Sequence, residues 1–323
     1  MDAILAMRAF VRVVESGNFT RAAESLAVPK GTVTKQIQSL EERVKSQLLN
    51  RTTRRVTVTP DGAAYYERAA RLLNDFDDLE AGMTNAQARP QGRLRVDVGS
   101  NTAKFLIIPN LQGFCEKYPD IQLDLGVTDR QVDLLGENVD CVIRAGRLSD
   151  PSLVARRIGQ FPLITVASPE YLRRYGVPRH PRELEMRHHV VGFFSARSRR
   201  NHPHEFSKDG EHHELSLPYQ ISTNEANAHF AAVLGGFGIS QVLSLQAAPY
   251  LRSGELVQLL PDWSREPLPV HVVYPPNRHL SPKVRAFVDW AAELFAAHPH
   301  LRRVPGPPGL PHPPAEVREA VAA

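Results

Sequence analysis

Within residues 30–38 the chain sets out cations, hydroxyls and an amide with little bulk between them: Lys30, Gly31, Thr32, Thr34, Lys35 and Gln38. Cations neutralise phosphates, while hydroxyls and carboxamides hydrogen-bond to base edges in a major groove. Thr20 and Arg21 lie upstream, and Arg51, Arg54 and Arg55 follow in the run Arg51-Thr52-Thr53-Arg54-Arg55. The charge is local. Residues 1–59 hold ten Lys or Arg against five Asp or Glu, a net +5, whereas the whole chain is +4, so residues 60–323 sum to −1. Clustered cations release the counterions condensed on a polyanion, so this end of the chain is built to meet double-stranded nucleic acid.

The elements that must position these residues are legible from periodicity. Ile4, Met7, Phe10, Val11 and Val14 predict an amphipathic helix over 3–14, broken by Gly17-Asn18. Thr20, with Glu24 near the capping-box position, predicts the cap of a second helix over 21–27. Ala22 and Ala23 are small enough for another helix to cross there. Val28-Pro29-Lys30-Gly31 reads as the turn of a helix-turn-helix. Val33, Ile37, Leu40 and Val44 then form one buried stripe of a third helix. Gly31, Lys35 and Gln38, flanked by Thr32 and Thr34, fall on the opposite face. An ordinary solvated helix face has the same residue types. The arginine run argues against that reading, because it sits between Leu48-Leu49 and the alternating Val56-Thr57-Val58-Thr59, the pattern of a two-stranded wing.

A helix restarts at Pro60. Tyr65, Ala69, Leu72, Phe76, Leu79, Met83 and Ala86 step by four and three, a heptad seam. A long helix with so narrow an apolar stripe is marginal alone. It pairs with a second copy, Leu72, Phe76, Leu79 and Met83 forming the seam, or it packs on its own C-terminal domain. Arg89-Pro90-Gln91-Gly92 ends it as a hinge.

Beyond residue 92 strand and helix patterns alternate. Strands are expected at 94–99, 121–127, 141–144, 161–168, 238–243 and 268–275, and helices at 103–117, 129–137, 224–234 and 282–297. This is an α/β pattern with a mostly parallel sheet. Such sheets bind ligands past the carboxyl ends of their strands. The candidate ligand residues there are Ser100, Asn101, Thr102, Thr128 and Arg144, with Asn224 opening a helix that faces the first, and Phe193. Plain helix capping accounts for any one of them taken singly. Their convergence, with Arg144 able to pair with a carboxylate, is what points to a pocket for a small molecule, of which an anionic one is the expected kind.

Taken together the motifs resemble the LysR-type transcriptional regulators. Phe10, Gly17-Asn18-Phe19-Thr20-Arg21-Ala22-Ala23, Leu26-Ala27-Val28, Val33-Thr34-Lys35-Gln36-Ile37, Leu40-Glu41-Glu42 and Arg51-Thr52-Thr53-Arg54 carry the likeness, which runs on to Pro60-Asp61-Gly62. Residues 128–159, 231–240, 254–263 and 269–276 are similar to the family's C-terminal domain. Pro29-Lys30-Gly31-Thr32 and Thr34-Lys35 depart from the commoner family residues at groove-facing positions, which implies a different operator. Lys45 and Asn138 stand where Gly is more usual, and Leu49 where Phe is. The resemblance implies an N-terminal all-α winged helix-turn-helix at 1–59, a dimerising linker helix at 60–90 and a regulatory domain at 91–298. That last domain has the type 2 periplasmic-binding-protein fold, with subdomain one at about 93–163 plus 267–298 and subdomain two at about 164–266. It further implies a homodimer or homotetramer on a near-palindromic operator, an effector in the cleft, and RNA polymerase as a further partner. The place of action is the bacterial cytoplasm, at the nucleoid. The alternative is a constitutive DNA-binding regulator whose C-terminal domain serves only oligomerisation.

Other signals are set aside. Seven histidines crowd residues 180–213, without cysteine and without an i, i+4 pair, so a solvated loop is expected there and no metal site. Cys115 and Cys141 read as two buried small side chains and not as a disulfide framework. Residues 299–323 hold seven prolines and read as a disordered tail. The chain has no GxSxG elbow, P-loop or GxGxxG; Gly235-Gly236-Phe237-Gly238 follows a helix and is a turn. No enzyme activity or cofactor is expected. No apolar run approaches the ~18–20 residues of a membrane span.

Overall fold

A computed structural model describes residues 2–51, 56–83, 89–134, 136–146, 153–276, 280–298 and 301, the side chains of 51, 74–75 and 77–83 apart. The chain forms two compact units that divide between Arg89 and Pro90.

In the first unit α1 (Ala3–Ser16) starts where the Asp2 carboxylate accepts the Ile4 N–H at 2.9 Å and stops at Gly17, φ +64°. The second helix, α2 (Phe19–Ser25), is capped one residue pair earlier than expected. Asn18, not Thr20, is the cap, its Oδ1 accepting the Thr20 N–H at 2.7 Å. Leu26 to Pro29 make the turn into α3 (Lys30–Val44). Strands β1 (Leu49–Arg51) and β2 (Val56–Val58) pair antiparallel as the wing, Arg51 opposite Val56. The long helix α4 (Pro60–Met83) follows. Phe10, Val33, Ile37, Leu40, Leu48 and Leu49 build the core and are buried. Gly62 is required by this packing, since a Cβ there would lie 2.0 Å from the Leu48 carbonyl oxygen.

The second unit opens with β3 (Gly92–Val98). The short α5 (Ser100–Thr102), a π-turn (Ala103–Ile107) and α6 (Ile108–Lys117) then run on as one helix. Strands β4 (Ile121–Val127), β5 (Cys141–Ala145), β6 (Val154–Phe161) and β7 (Leu163–Ala167) come next, then α7 (Pro169–Tyr175) and α8 (Leu184–Arg187). The chain continues through β8 (Val190–Phe193), β9 (His204–Lys208), β10 (Glu211–Leu215), β11 (Tyr219–Thr223), α9 (Ala226–Leu234), β12 (Ser240–Leu243) and α10 (Ser244–Ser253). It closes with β13 (Val257–Leu259), β14 (Leu268–Tyr274) and α11 (Pro282–Ala297).

Two lobes repeat one strand order. The first sheet runs β4-β3-β5-β14-β6. In the second lobe β11 pairs with β8 and β12 pairs with β7, which also holds β13. The Val190–Ile239 bridge joins these pieces, with the Val191 N–H to Ile239 O and the Ile239 N–H to His189 O both at 3.0 Å, giving β11-β8-β12-β7-β13. The close approach requires Gly238, where a Cβ would stand 2.6 Å from the His189 carbonyl oxygen.

Several expectations are corrected. The sheets are mixed, because β14 runs antiparallel to β5 and β6, and β7 antiparallel to β12 and β13. Those two strands cross over from the opposite lobe, which reverses their direction. The described residues of 129–137 form bends and turns, not a helix. There the Asp133 carboxylate accepts the Gly136 N–H at 2.9 Å and Asn138 takes φ +55°, both of which compete with helix formation. The histidine-rich stretch is not a solvated loop. It contains β8, β9 and β10, and His188, His204 and His213 are buried. Cys115 is exposed; only Cys141 is buried. In α4, Tyr65 and Ala69 of the expected seam do not face outward. They pack into the unit's own core with Ala70 and Leu73, and Tyr65 meets the Phe10 ring edge-on at 5.6 Å. Residues 302–323, most of the expected tail, lie outside the described residues, as do Arg54 and Arg55 and the side chains of Leu79 and Met83.

Candidate functional sites: a nucleic-acid interface and a ligand cleft

Helix α3 buries Val33, Ile37 and Leu40 and turns its other face to solvent. Lys30, Gly31, Lys35 and Gln38 are exposed on that face, and Thr32 and Thr34 are half-buried at its edges. The Thr34 hydroxyl donates to the Lys30 carbonyl at 3.1 Å. No side chain caps α3: Pro29 precedes it, and the first-turn N–H groups of Lys30 and Gly31 point out of the helix end. A Cβ at Gly31 would meet nothing within 4 Å. The protein's own packing therefore does not require glycine there. Thr20 and Arg21 are exposed on the first turn of α2.

The wing is tied to this helix by Glu41, whose Oε1 accepts the Leu48 and Leu49 N–H groups at 2.9 and 3.1 Å. Glu41 is thus a positioning group for the wing, a role periodicity alone could not reveal. The antiparallel register carries the wing's basic run between Arg51 and Val56. In α4, Leu72 is exposed and Phe76 half-buried.

In the second unit a cavity of about 290 Å³ lies between the two lobes. One wall is formed past β3, β4 and β5 by Asn101, Thr102, Thr128 and Arg144. The other is formed by Phe193, His202, His204, His229 and Gln246, with Arg265 from the connection back to the first lobe. Five of the seven expected ligand residues therefore meet in one cavity. Ser100 and Asn224 do not line it. Asn224 is exposed, because α9 starts two residues later at Ala226 with Glu225 as its cap.

The two helix N-termini do face each other, and the anion between them belongs to the protein. The Asp129 carboxylate accepts the Ser100 N–H at 2.8 Å and, across the cleft, the Ala226 N–H at 2.7 Å. The Asn101 amide donates to Gln246 Oε1 at 3.1 Å, also across the cleft. Burial pushes the Glu225 carboxyl up, but hydrogen bonds from Asn227, Ala228 and Ser100 outweigh it and hold the group below its usual range. The bridging role of Asp129, at a strand end where a ligand site is expected, was not legible in the sequence because its partners lie 29 and 97 residues away. Arg144 is likewise engaged: its guanidinium pairs with buried Asp97 at 2.5 Å and donates to Thr128 Oγ1 and the Arg130 carbonyl.

The cavity's histidines are held neutral. Burial, with Arg265 nearby, lowers His204 to about 3. Burial also lowers His202 and His229, and the His229 Nε2 bonds to the Ser240 hydroxyl at 2.9 Å. Burial lowers the Arg265 guanidinium too, against Glu205 at 3.7 Å. The result is a pocket of aromatic and imidazole faces whose full charges are already paired. Asn101 Oδ1 is buried beside it with no hydrogen bond among the described residues.

A winged helix-turn-helix followed by a two-lobed cleft domain defines the class: a DNA-binding transcriptional regulator with a small-molecule-type domain. The comparisons agree. Residues 4–63 match the model of the bacterial regulatory helix-turn-helix protein, lysR family, and residues 87–296 that of the LysR substrate binding domain. The chain is 39% identical over 305 residues to an HTH-type transcriptional repressor of Pseudomonas aeruginosa, covering 94% of this chain and 96% of that one. It resembles the full-length structure of AphB, a Vibrio cholerae virulence activator, at TM-score 0.57 and 31% identity, covering 91% of this chain and 99% of that one. It also resembles CrgA, a LysR-type regulator from Neisseria meningitidis, at TM-score 0.55 and 32% identity, covering 90% and 97%. The chain belongs to the LysR family of transcriptional regulators. No helix among the described residues is long and apolar enough to cross a membrane.

Proposed function

We propose that this regulator binds a near-palindromic operator as a homodimer or homotetramer, and that a small molecule in the cleft modulates the binding. The observation that carries the effector reading is the Asp129 carboxylate shared by the N-termini of α5 and α9. A ligand that competes with it changes how the lobes are held, and a state-dependent contact of this kind is what lets binding energy shift a two-state assembly. The cavity, about 290 Å³, is near the ~300 Å³ lower end of small-molecule sites, so the effector is compact. Its apolar part stacks on Phe193 and the imidazoles. An anionic group has Arg265 and, in competition with Asp97, Arg144 to bind.

On the DNA side, Lys35 and Gln38 reach base edges with Thr32 and Thr34 beside them, and Lys30, Gly31 and the free N–H groups of α3 hold phosphate. Thr20, Arg21, Arg51, Arg54 and Arg55 bind the backbone on either side. Leu72, Phe76, Leu79 and Met83 join two copies, which sets two recognition helices on two half-sites. In this reading 1–59 reads DNA, 60–90 pairs the copies and 91–298 senses, acting on transcription with RNA polymerase in the bacterial cytoplasm.

The test is Lys35→Ala in a mobility-shift titration on the operator. Removing a base-contacting cation should cost ~1–3 kcal/mol, roughly 5- to 150-fold in affinity, with the oligomer intact by light scattering. Unchanged affinity would remove α3 from the groove.

A further inference from the structure

We propose that the second lobe carries a site for a divalent transition-metal ion of the zinc, nickel or copper kind, formed by His180, Glu211 and His213 at a place distinct from the ligand cavity. Their ligand atoms, two imidazole nitrogens and a carboxylate oxygen, all lie within 4.8 Å of one another. The His213 Nε2 is 2.7 Å and the His180 Nε2 3.8 Å from the same Glu211 oxygen, Oε1. Metal–ligand bonds of ~2.0–2.2 Å at tetrahedral angles put ligand atoms roughly 3.3–3.5 Å apart, a separation that these two distances bracket. Two histidines and one glutamate with a fourth position open is a donor set that suits a borderline-soft divalent ion.

The fold explains the convergence. Glu211 and His213 are two apart on β10, so their side chains leave the same face of the strand. His180 arrives from the turn before Pro181, where its Nδ1 accepts the Arg182 N–H at 3.2 Å. Trp263 walls the group, its ring centroid 5.0 Å from that of His180 and 5.4 Å from that of His213. His213 is buried, which excludes water from one side, while His180 and Glu211 remain accessible for entry. Lys208 stacks 6.0 Å from the Trp263 ring but pairs with Asp262. Ligation through Nε2 needs each neutral ring to carry its proton on Nδ1. At His180 the ion therefore takes the place of the bond from Arg182. Sequence spacing hid the site because its helical signature is i, i+4, whereas this one uses a strand's i, i+2 and a distant turn.

The chain has two tryptophans, and Trp290 packs in the first lobe's core against Phe114 and Phe287. In a full-length Trp290→Phe background, emission therefore reports Trp263 alone. Titration with Ni²⁺ at neutral pH should give one saturable quenching phase that Zn²⁺ reverses. His180→Ala and Glu211→Gln, both at accessible positions that folding tolerates, should each weaken it at least ~10-fold. His212→Ala should leave it unchanged, since His212 lies on the other face of β10 and bonds Ser207. Absence of a saturable phase would overturn the proposal. So would quenching of undiminished affinity in the His180→Ala and Glu211→Gln variants, which would place the ion on other histidines.

Discussion

The two units expose their business ends in opposite ways. The proposed DNA-reading surface comes from one contiguous stretch and is assembled by local rules: a buried stripe on α3 leaves the opposite face outward, and an antiparallel register pairs the wing strands. The ligand cavity draws side chains from Gly99 to Leu268. Its defining contact, Asp129 to Ser100 and Ala226, joins residues that no periodicity relates. The first surface wants charges accessible to a polyanion. The second buries its charges in pairs and holds three imidazoles neutral. A helix face can thus be read from spacing, whereas a cleft between crossing lobes needs the topology.

The sharpest way to break the local account of the first unit is Glu41→Ala. If Glu41 holds the wing entry, its loss leaves two amides at buried Leu48 and Leu49 without their acceptor, costing about 1–3 kcal/mol. Chemical denaturation of the first unit would read the loss, and an unchanged midpoint would mean the wing is held by its core packing alone.

Acid separates the units next. All thirteen histidines lie at or beyond residue 180. Unfolded, His204 titrates near ~6.5; folded, it is lowered to about 3. Its folded value is depressed, so the neutral form is what folding favours. That stability is fully present above pH ~6.5 and is lost progressively as pH falls toward about 3, at about 1.4 kcal/mol per pH unit for this group. Thermal melts from pH 7 to 5 should lower the transition of the second unit, and His204→Gln should flatten that slope. A slope that His204→Gln leaves intact would assign acid lability elsewhere.

The smallest effect tests backbone conformation. Lys45 ends α3 with φ +53°, the left-handed conformation glycine adopts freely. Lys45→Gly should stabilise the first unit by up to ~1 kcal/mol, offset in part by a looser unfolded chain. A destabilisation would show that the Lys45 side chain contributes contacts.

These particulars mark what could be read in advance. The stripe Val33, Ile37, Leu40 and the exposed Lys35 and Gln38 followed from helical period, and the departure at Lys45 from the family resemblance. The α/β alternation was legible, and so were Asn101, Thr102, Thr128 and Arg144, because strand ends are marked by local pattern. What failed was non-local. Strand direction depends on which lobe β7 and β14 cross from. Residues 129–137 have helix-like apolar spacing, overridden by the Asp133 and Asn138 turns. Tyr65 and Ala69 fit a heptad yet face α1, because the helix must bury one side on its own unit before it can offer another to a partner. The buried strands of the histidine-rich region were concealed by a composition that suits a loop.

The central claim is that a molecule in the cleft changes what the recognition helix does. The most direct measurement takes a compound from a small-acid and aromatic library that raises the melting temperature of the full chain, and titrates operator DNA with and without it at saturation. The account predicts a ligand-dependent change in operator affinity or footprint that Phe193→Ala abolishes while DNA binding in the absence of ligand stays intact. Identical binding with and without a saturating cleft ligand would contradict it and leave a constitutive DNA-binding protein whose second unit serves assembly alone.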